Sequence, residues 1–173
     1  MDEARYQRHL AKAKEWTIKT LLRKTAIEFQ KAIRAEAGAF VGHVRCVVDG
    51  EMATRYSPRG KCVCVTCGKL VPWSGDVRTG KPGIDAGHFL GSRRASIVLE
   101  PLNCHPQCRY CNQYLSGNPD CFELYMRTVF GQDVIDNLRD LKNNVSKKWE
   151  REELVAKRIG YLDRVKAAKE LMK

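Results

Sequence analysis

The residues with the most distinctive chemistry are two pairs of cysteines, each with two residues between its members. They are Cys64 and Cys67, and Cys108 and Cys111. A turn with this spacing can direct both thiolates at one ion, and two such turns complete the tetrahedral sulfur site that zinc prefers. We therefore predict a structural zinc ion held by these four side chains. A second zinc among Cys62, Cys104, Cys121 and His105 is left open as an alternative.

A second group of polar residues lies between and beside the cysteine pairs. Asp85 and His88 stand in the segment DAGHF; Asn103 and His105 open the segment N-x-H-x-Q-C-x-x-C-N, which Asn112 closes. The sequence SGN follows shortly afterwards. This order resembles the HNH nucleases, also called His-Me finger or ββα-metal nucleases. The run from DAGHF to SGN is similar, more specifically, to the NinG (Rap) recombination proteins of lambdoid phages.

The resemblance to the HNH core covers residues 64–118, and the resemblance to the NinG family extends over roughly residues 15–172. It implies two strands and a helix around one catalytic metal ion, with the zinc site stapling the unit. It also implies a metal-dependent DNA endonuclease that cuts branched recombination intermediates such as Holliday junctions and D-loops. A nonspecific or single-strand nuclease with the same site, and a non-catalytic zinc-bearing DNA-binding protein, are the alternatives.

The same resemblance implies a role for each polar residue. His88 is the general base, since a neutral imidazole is available near pH 7. Asn103 orients that imidazole or tethers the loop, and Asn112 supplies an oxygen to the catalytic Mg²⁺ or Mn²⁺. Asp85 and His105 are further candidate ligands of this ion. His105 is alternatively a phosphate contact or a structural residue of the zinc knuckle.

The position of Asp85 differs from that of the acidic residue in many HNH nucleases, which stands immediately before the base. Here that position is Gly87, and Asp85 lies three residues before His88. On a regular strand an odd spacing points two side chains to opposite faces. A β-bulge at Ala86–Gly87 would bring them together. Asp85 is therefore either a metal ligand or a capping or loop residue.

The charge of the chain favours a polyanionic partner. There are 31 Lys and Arg residues against 20 Asp and Glu residues, a formal net charge of +11, and a basic surface attracts phosphate backbones. We expect phosphate contacts from Arg93, Arg94, Arg109 and Lys69. No apolar run is long enough to span a bilayer, and the start lacks the pattern of a secretory signal. These features predict a cytoplasmic protein without membrane contact.

The expected partners follow from the implied substrate. Resolving a four-way junction takes two symmetric cuts, so a twofold homodimer is expected. A recombinase is a further expected partner, through the resemblance to recombination proteins.

The predicted fold is α+β and mostly helical, with a small ββα-metal core and a Cys₄ zinc knuckle. We divide the chain into a basic amphipathic helix at 1–43, the zinc-stapled nuclease core at 44–118 and a helical region at 119–173. Apolar spacing predicts one long helix from residue 4 to about residue 40.

Three further elements are predicted from local signals. Residues 44–60 read as irregular, with a short strand at Val44, Val47 and Val48 as the alternative, and Ile84–Leu90 reads as a short strand. Asn118 and Pro119 predict an N-cap and the start of a helix, and Gly131 predicts its end.

Overall fold

The computed structural model describes residues 2–75, 80–91 and 94–173. In these residues the chain is α+β, with five α-helices and three two-stranded antiparallel sheets. The helices are α1 (Glu3–Ala13), α2 (Ile18–Ala39), α3 (Pro119–Phe130), α4 (Gln132–Asn143) and α5 (Arg151–Leu171). The strands are β1 (Gly42–Val48), β2 (Glu51–Ser57), β3 (Lys61–Val63), β4 (Leu70–Pro72), β5 (Ile84–His88) and β6 (Cys104–Cys108). Within the same ranges, no helix is both long enough and apolar enough to cross a bilayer.

The single long N-terminal helix predicted from apolar spacing is wrong, because the segment forms two helices. α1 ends at Ala13 and α2 begins at Ile18. The side chain of Thr17 accepts a hydrogen bond from the backbone N–H of Thr20 at 3.2 Å. Thr17 is therefore the N-cap of a new helix, and its extended backbone separates α2 from α1. The apolar stripe that indicated the helix begins at Ile18, so it describes α2 and does not extend across the break.

The segment predicted to be irregular forms a regular hairpin. β1 and β2 pair without interruption from Gly42 opposite Ser57 to Val48 opposite Glu51. Asp49 and Gly50 make the turn, with φ angles of 51° and 83°. Two consecutive residues with positive φ match the twist of antiparallel strands, and Asp-Gly is a preferred sequence for such a turn.

The other two sheets carry the residues that could do chemistry. β3 and β4 pair on either side of the first cysteine pair. β5 and β6 pair from Ile84 opposite Cys108 to His88 opposite Cys104. The strand predicted at Ile84–Leu90 is thus confirmed, although it ends at His88. A 3₁₀ turn at Pro101–Asn103 leads into β6, and a π-helical turn at Tyr110–Tyr114 follows it.

The predicted boundaries of the first C-terminal helix are confirmed, since α3 begins at Pro119 and ends before Gly131. The predicted cap is wrong. Asn118 makes no side-chain cap and has a φ of 50°. Its Nδ2 instead donates to the carbonyl oxygen of Thr66 at 3.1 Å. Asn118 therefore ties the start of α3 to the first cysteine turn.

The cores join distant parts of the sequence. α2 packs along α5, where the rings of Phe29 and Tyr161 lie 5.2 Å apart. Arg164 on α5 donates to both carboxylate oxygens of Glu36 on α2, at 2.6 and 2.7 Å. Cys104 of β6 belongs to the same core. The core formed by α2 and α5 therefore packs against the β5–β6 hairpin.

We predict that Leu154→Ala lowers the free energy of unfolding by about 2–5 kcal/mol, because Leu154 is fully buried and its loss leaves a cavity. The matched control is Leu171→Ala on the same helix, where the side chain is 64% exposed and the expected change is below about 0.5 kcal/mol. Urea denaturation measures both. Equal losses for the two variants would contradict the packing described.

Candidate functional site

The four cysteines of the two C-x-x-C pairs come together in space. Their sulfur atoms all lie within 4.8 Å of one another, and those of Cys67 and Cys108 are 3.7 Å apart. Four Zn–S bonds of about 2.3 Å in a tetrahedron place sulfur atoms about 3.8 Å apart. The cluster therefore fits a zinc ion in both donor type and spacing.

Local backbone geometry forms the first half of this cluster. Gly68 follows Cys67 with a φ of 67°, and its N–H donates to the carbonyl of Cys64 at 2.9 Å. A Cβ at Gly68 would lie 2.5 Å from a methyl carbon of Val48. The turn therefore requires glycine both for its conformation and for its contact with β1. The second half comes from the end of β6 and the π-helical turn, which carry Cys108 and Cys111.

The alternative of a second zinc ion is not supported. Among the residues that the structure describes, the Cys₄ cluster is the one group with metal-ligand spacing. Cys62, Cys104 and Cys121 lie in three different cores. Burial raises the pKa of both Cys62 and Cys104 to about 12, which keeps them as thiols. These cysteines serve packing.

A polar cleft with a volume of about 330 Å³ lies beside the hairpin. The residues that line it are Gln30, Arg34, Asp85, Ala86, His88, Asn112 and Gln113. Three of the sequence-predicted site residues, Asp85, His88 and Asn112, are therefore brought together. Gln30 and Arg34 of α2 also line the cleft, as do Asn112 and Gln113 of the π-helical turn.

The imidazole of His88, a residue that lines this cleft, has one nitrogen without a partner among the described residues. Its Nε2 is buried and has no hydrogen-bond partner among the described residues. A hydrogen bond with the backbone of Val98 holds the ring, and burial lowers the pKa of His88. The ring therefore stays neutral near pH 7 and keeps a lone pair available as a proton acceptor.

Asp85 is surrounded by donors from the turn that follows β6. Its carboxylate accepts from Arg109 and Asn112 at 3.3 Å each, and from Gln113 at 3.1 Å. The ladder is regular from Ile84 to His88, so the expected bulge at Ala86–Gly87 is absent from these described strands. Both Asp85 and His88 nevertheless line the cleft. The capping or loop role does not describe Asp85, which makes an ion pair with Arg109.

Asn103 holds the loop that follows β5. Its Oδ1 accepts from the N–H of Leu90 at 2.8 Å, and its Nδ2 donates to the carbonyl of Leu90 at 2.9 Å. Its own carbonyl accepts from the N–H of Phe89 at 2.8 Å. The side chain is fully buried. Of the two roles considered for Asn103, these contacts match the tether and not the orientation of the imidazole.

Gly87 stands immediately before His88, and Gln107 explains why this position has no side chain. A Cβ at Gly87 would overlap the side chain of Gln107, whose Cδ would lie 2.7 Å away. Gln107 is fully buried and donates to the hydroxyl of Thr66 at 3.0 Å and to the carbonyl of Gly117 at 2.7 Å. It therefore fills the space that a side chain at position 87 would need.

His105 is not brought to the cleft. Its Nε2 lies 2.9 Å from the carbonyl oxygen of Leu102, and its ring packs against Phe122, Tyr125 and Phe130 at centroid distances of 5.1–5.9 Å. Burial lowers its pKa to about 4. Here His105 behaves as an aromatic packing residue and does not line the cleft.

The four basic residues expected to contact DNA occupy different places. Arg109 is engaged with Asp85 inside the site. Arg94 is exposed and lines a groove against α2. Lys69 is exposed on the turn of the first cysteine pair. Arg93 lies outside the described residues. The sequence analysis missed Gln30, Arg34 and Gln113 as lining residues, and the polar face of α2 was the one signal for the first two.

Comparison with known families extends over almost the whole chain. A family model described as "Bacteriophage Lambda NinG protein" matches residues 3–171. The chain belongs to the NinG family. Proteins named "Protein ninG" from Escherichia phage 933W and Escherichia phage lambda are each 28% identical over 106 residues. A ninG protein from Enterobacteria phage H19B is 31% identical over 77 residues.

The alignments to these NinG proteins are partial. The 106-residue matches cover 60% of this chain and 46% of the relatives, and the H19B match covers 44% of this chain and 37% of the relative. The chain thus aligns with less than half the length of the curated relatives it matches. No solved structure matches this chain.

We predict one zinc ion per chain, lost in Cys67→Ser, because removal of one thiolate leaves an incomplete tetrahedral set. Elemental analysis of the purified protein measures the zinc content, and thermal denaturation with and without a chelator measures the coupled loss of stability. Cys121→Ser is the matched control, since Cys121 is half-buried and outside the cluster. Full zinc content in Cys67→Ser would contradict the assignment.

We predict that Gly87→Ala lowers the free energy of unfolding by about 1–3 kcal/mol, because the added methyl group overpacks the buried Gln107. Gly91→Ala is the control, since a Cβ there has no neighbour within 4 Å in the part of the chain that the structure describes. Urea denaturation of both variants measures the difference. If Gly91→Ala is the more damaging change, the close contact at Gly87 is not what excludes a side chain.

Proposed function

We propose that this NinG-family protein is a metal-dependent DNA endonuclease of the HNH type. The observation that carries the proposal is the unpartnered Nε2 of His88, which is buried beside the cleft that Asp85 and Asn112 also line. A buried imidazole nitrogen without a hydrogen bond costs stability. A structural or DNA-binding role gives no reason to retain it, whereas a general base requires such a nitrogen.

The chemistry assigned to His88 is the activation of water. His88 Nε2 accepts a proton from the water as its oxygen forms a bond to the phosphorus of the DNA backbone. The bond from that phosphorus to the leaving oxygen breaks, and the leaving oxygen takes up a proton from solvent. The His88 imidazolium then returns its proton to solvent. Because burial lowers the pKa of His88, the base is already in its neutral form near pH 7.

Asp85 and Asn112 are the oxygen donors that would hold a catalytic Mg²⁺ or Mn²⁺. Asn112 Nδ2 lies 3.3 Å from Asp85 Oδ2 at the cleft. Mg²⁺ commonly takes one or two protein oxygens and completes its shell with water and phosphate. Such an ion would neutralise charge at the phosphate and the leaving oxygen. Arg109, which pairs with Asp85 at 3.3 Å, holds the carboxylate in place.

The order of elements supports the HNH assignment. Two antiparallel strands, β5 and β6, are followed by a helical turn; β5 supplies Asp85 and His88, and the turn supplies Asn112. Asn103 fixes the loop between the strands through Leu90. This is the arrangement that the resemblance implies for a base, a tether and a metal ligand.

A basic groove extends from the cleft and supports DNA as the substrate. Gln30 lines both the cleft and a neighbouring groove of about 540 Å³ between α2 and the turn at Arg94. Lys19 and Arg23 add their charges to this groove. Arg94 also lines a further groove with Lys147. Cations in a row beside a cleavage site are suited to phosphate contacts that position DNA without reading its sequence.

Two exposed tyrosines beside the cleft support a preference for branched DNA. Tyr110 and Tyr114 flank Asn112 on the π-helical turn, are 60% and 75% exposed, and have ring centroids 6.0 Å apart. Exposed aromatic rings stack on unpaired bases, which branch points offer and continuous duplex does not. Holliday junctions and D-loops are the proposed substrates, with a homodimer making paired cuts and a recombinase as partner.

We predict that His88→Ala reduces cleavage of branched DNA by about 10²–10⁴-fold with Mg²⁺ or Mn²⁺ present, since it removes the general base. The substrates are a labelled Holliday junction, D-loop, flap, single strand and duplex of matched sequence. His43→Ala is the control, because His43 is exposed on β1 and does not line the cleft. Zinc content, measured alongside, shows that the variant is folded.

The outcomes separate the three readings. Preferential cleavage of branched DNA that is lost only in His88→Ala supports the proposal. Equal cleavage of all substrates supports the site and contradicts the preference for branches, which leaves a nonspecific nuclease. Binding without cleavage under either metal ion contradicts the enzyme and leaves a zinc-bearing DNA-binding protein.

A further inference from the structure

A second cavity, separate from the cleft, lies where α1, α2 and α5 meet. Its volume is about 320 Å³, and its polar lining is the cationic Lys12, Lys24 and Arg158 together with the imidazole of His9. Trp16 forms one wall. No carboxylate is among the described residues that line it, and none of these residues lines the cleft.

The guanidinium of Arg158 is poorly satisfied within the protein. Its Nε is buried and has no hydrogen-bond partner among the described residues. One terminal nitrogen lies 3.5 Å from Nδ1 of His9, and the other lies 3.7 Å from the carboxylate of Glu28. Both contacts are at or beyond the limit of a good hydrogen bond. Arg158 therefore has donors available for a further acceptor.

The cations around this cavity are gathered at one indole ring. Lys24 Nζ lies 4.5 Å from the ring centroid of Trp16, and the guanidinium carbon of Arg158 lies 6.0 Å from it. Arg158, Arg5, Arg8 and Lys12 act together on His9 and lower its pKa, in addition to the effect of burial. Like charges at short range repel. An anion in the cavity would offset that repulsion.

The cations, the indole ring and the volume of the cavity together indicate which chemical groups its ligand carries. An arginine fork and two lysines suit the several oxygen atoms of a phosphate group. An indole wall suits the flat face of a nucleobase, and a cavity of this volume is of the size that holds small ligands. A carboxylate alone would leave both the indole and part of the charge unused.

We propose that this cavity binds the phosphate group of a nucleotide, with Arg158, Lys12 and Lys24 on the phosphate and Trp16 against the base. The nucleotide is either part of a DNA strand or a free mononucleotide. The site does not depend on the proposed nuclease activity. Lys24 and Arg34 are ten residues apart on α2, which corresponds to about 15 Å along the helix, so one DNA molecule can reach both the cavity and the cleft.

The test is a ligand titration of the zinc-loaded full chain. The chemical shift of the Trp16 indole N–H in ¹H–¹⁵N NMR spectra reports binding. Trp16→Phe assigns that resonance among the three tryptophans. Thymidine 5′-monophosphate is the first ligand, and thymidine is its control without phosphate. We expect a saturable shift with the monophosphate and none with thymidine.

Two test variants and one control variant distinguish a specific phosphate site from nonspecific attraction to positive charge. Lys12→Met with Lys24→Met should weaken binding at least about tenfold, and so should Arg158→Lys, which keeps a charge near Glu28 and loses the fork. Lys14→Met with Lys166→Met is the control, because both lysines are exposed, lie outside the cavity and carry the same charge. Equal weakening in the control, or no Trp16 shift with any phosphate ligand, overturns the proposal.

Oligonucleotides distinguish the sources of the phosphate. Tighter binding of a 5′-phosphorylated single strand than of its 5′-hydroxyl form identifies a strand end. Equal binding of the two forms, tighter than the monophosphate, identifies an internal backbone phosphate. Tightest binding of the monophosphate identifies a free nucleotide. Each result supports a phosphate site if the variants respond as stated, and cleavage by the same preparations is measured separately.

Discussion

The structure around the cleft depends on one constraint, the convergence of four cysteine sulfur atoms within 4.8 Å. Two of them close the turn between β3 and β4, and two close the passage from β6 into the π-helical turn. The cluster thereby joins two small hairpins, neither of which is large enough to be stable alone. The cluster fixes the positions of β6 and the π-helical turn. It thereby also positions β5, which pairs with β6, and Asn112, which lies on the turn. The distance from Asn112 to Asp85 depends on both.

Most of the chemistry-bearing residues could be predicted from the sequence because their relations are local. The two C-x-x-C turns each act over four residues, and Asn112 directly follows the last cysteine. The start of α3 at Pro119 and its end before Gly131 are also local effects of single residues. The cap at Asn118 failed because its side chain has a distant partner, the carbonyl of Thr66.

The features that could not be predicted from the sequence depend on long-range contacts or were obscured by a stronger local pattern. Nothing in the local sequence places Gln30 and Arg34 beside β5, because that contact depends on how α2 packs along α5. The break at Thr17 was missed because the helix was extended beyond the apolar stripe, which begins only at Ile18. The β1–β2 hairpin had a local signal in Asp49-Gly50, which the irregular composition around it outweighed. The position of His105 among three aromatic rings likewise depends on the packing of α3.

The contact between Gly87 and Gln107 has a consequence for how this site can diverge in evolution. A mutation to an acidic residue at position 87 would meet the buried amide, and shortening Gln107 alone would strand the hydroxyl of Thr66 and the carbonyl of Gly117. Each single step therefore passes through a less stable protein, and the two positions are expected to drift as a coupled pair. With glycine retained at position 87, the carboxylate of the cleft comes from Asp85, which lies two residues earlier in β5.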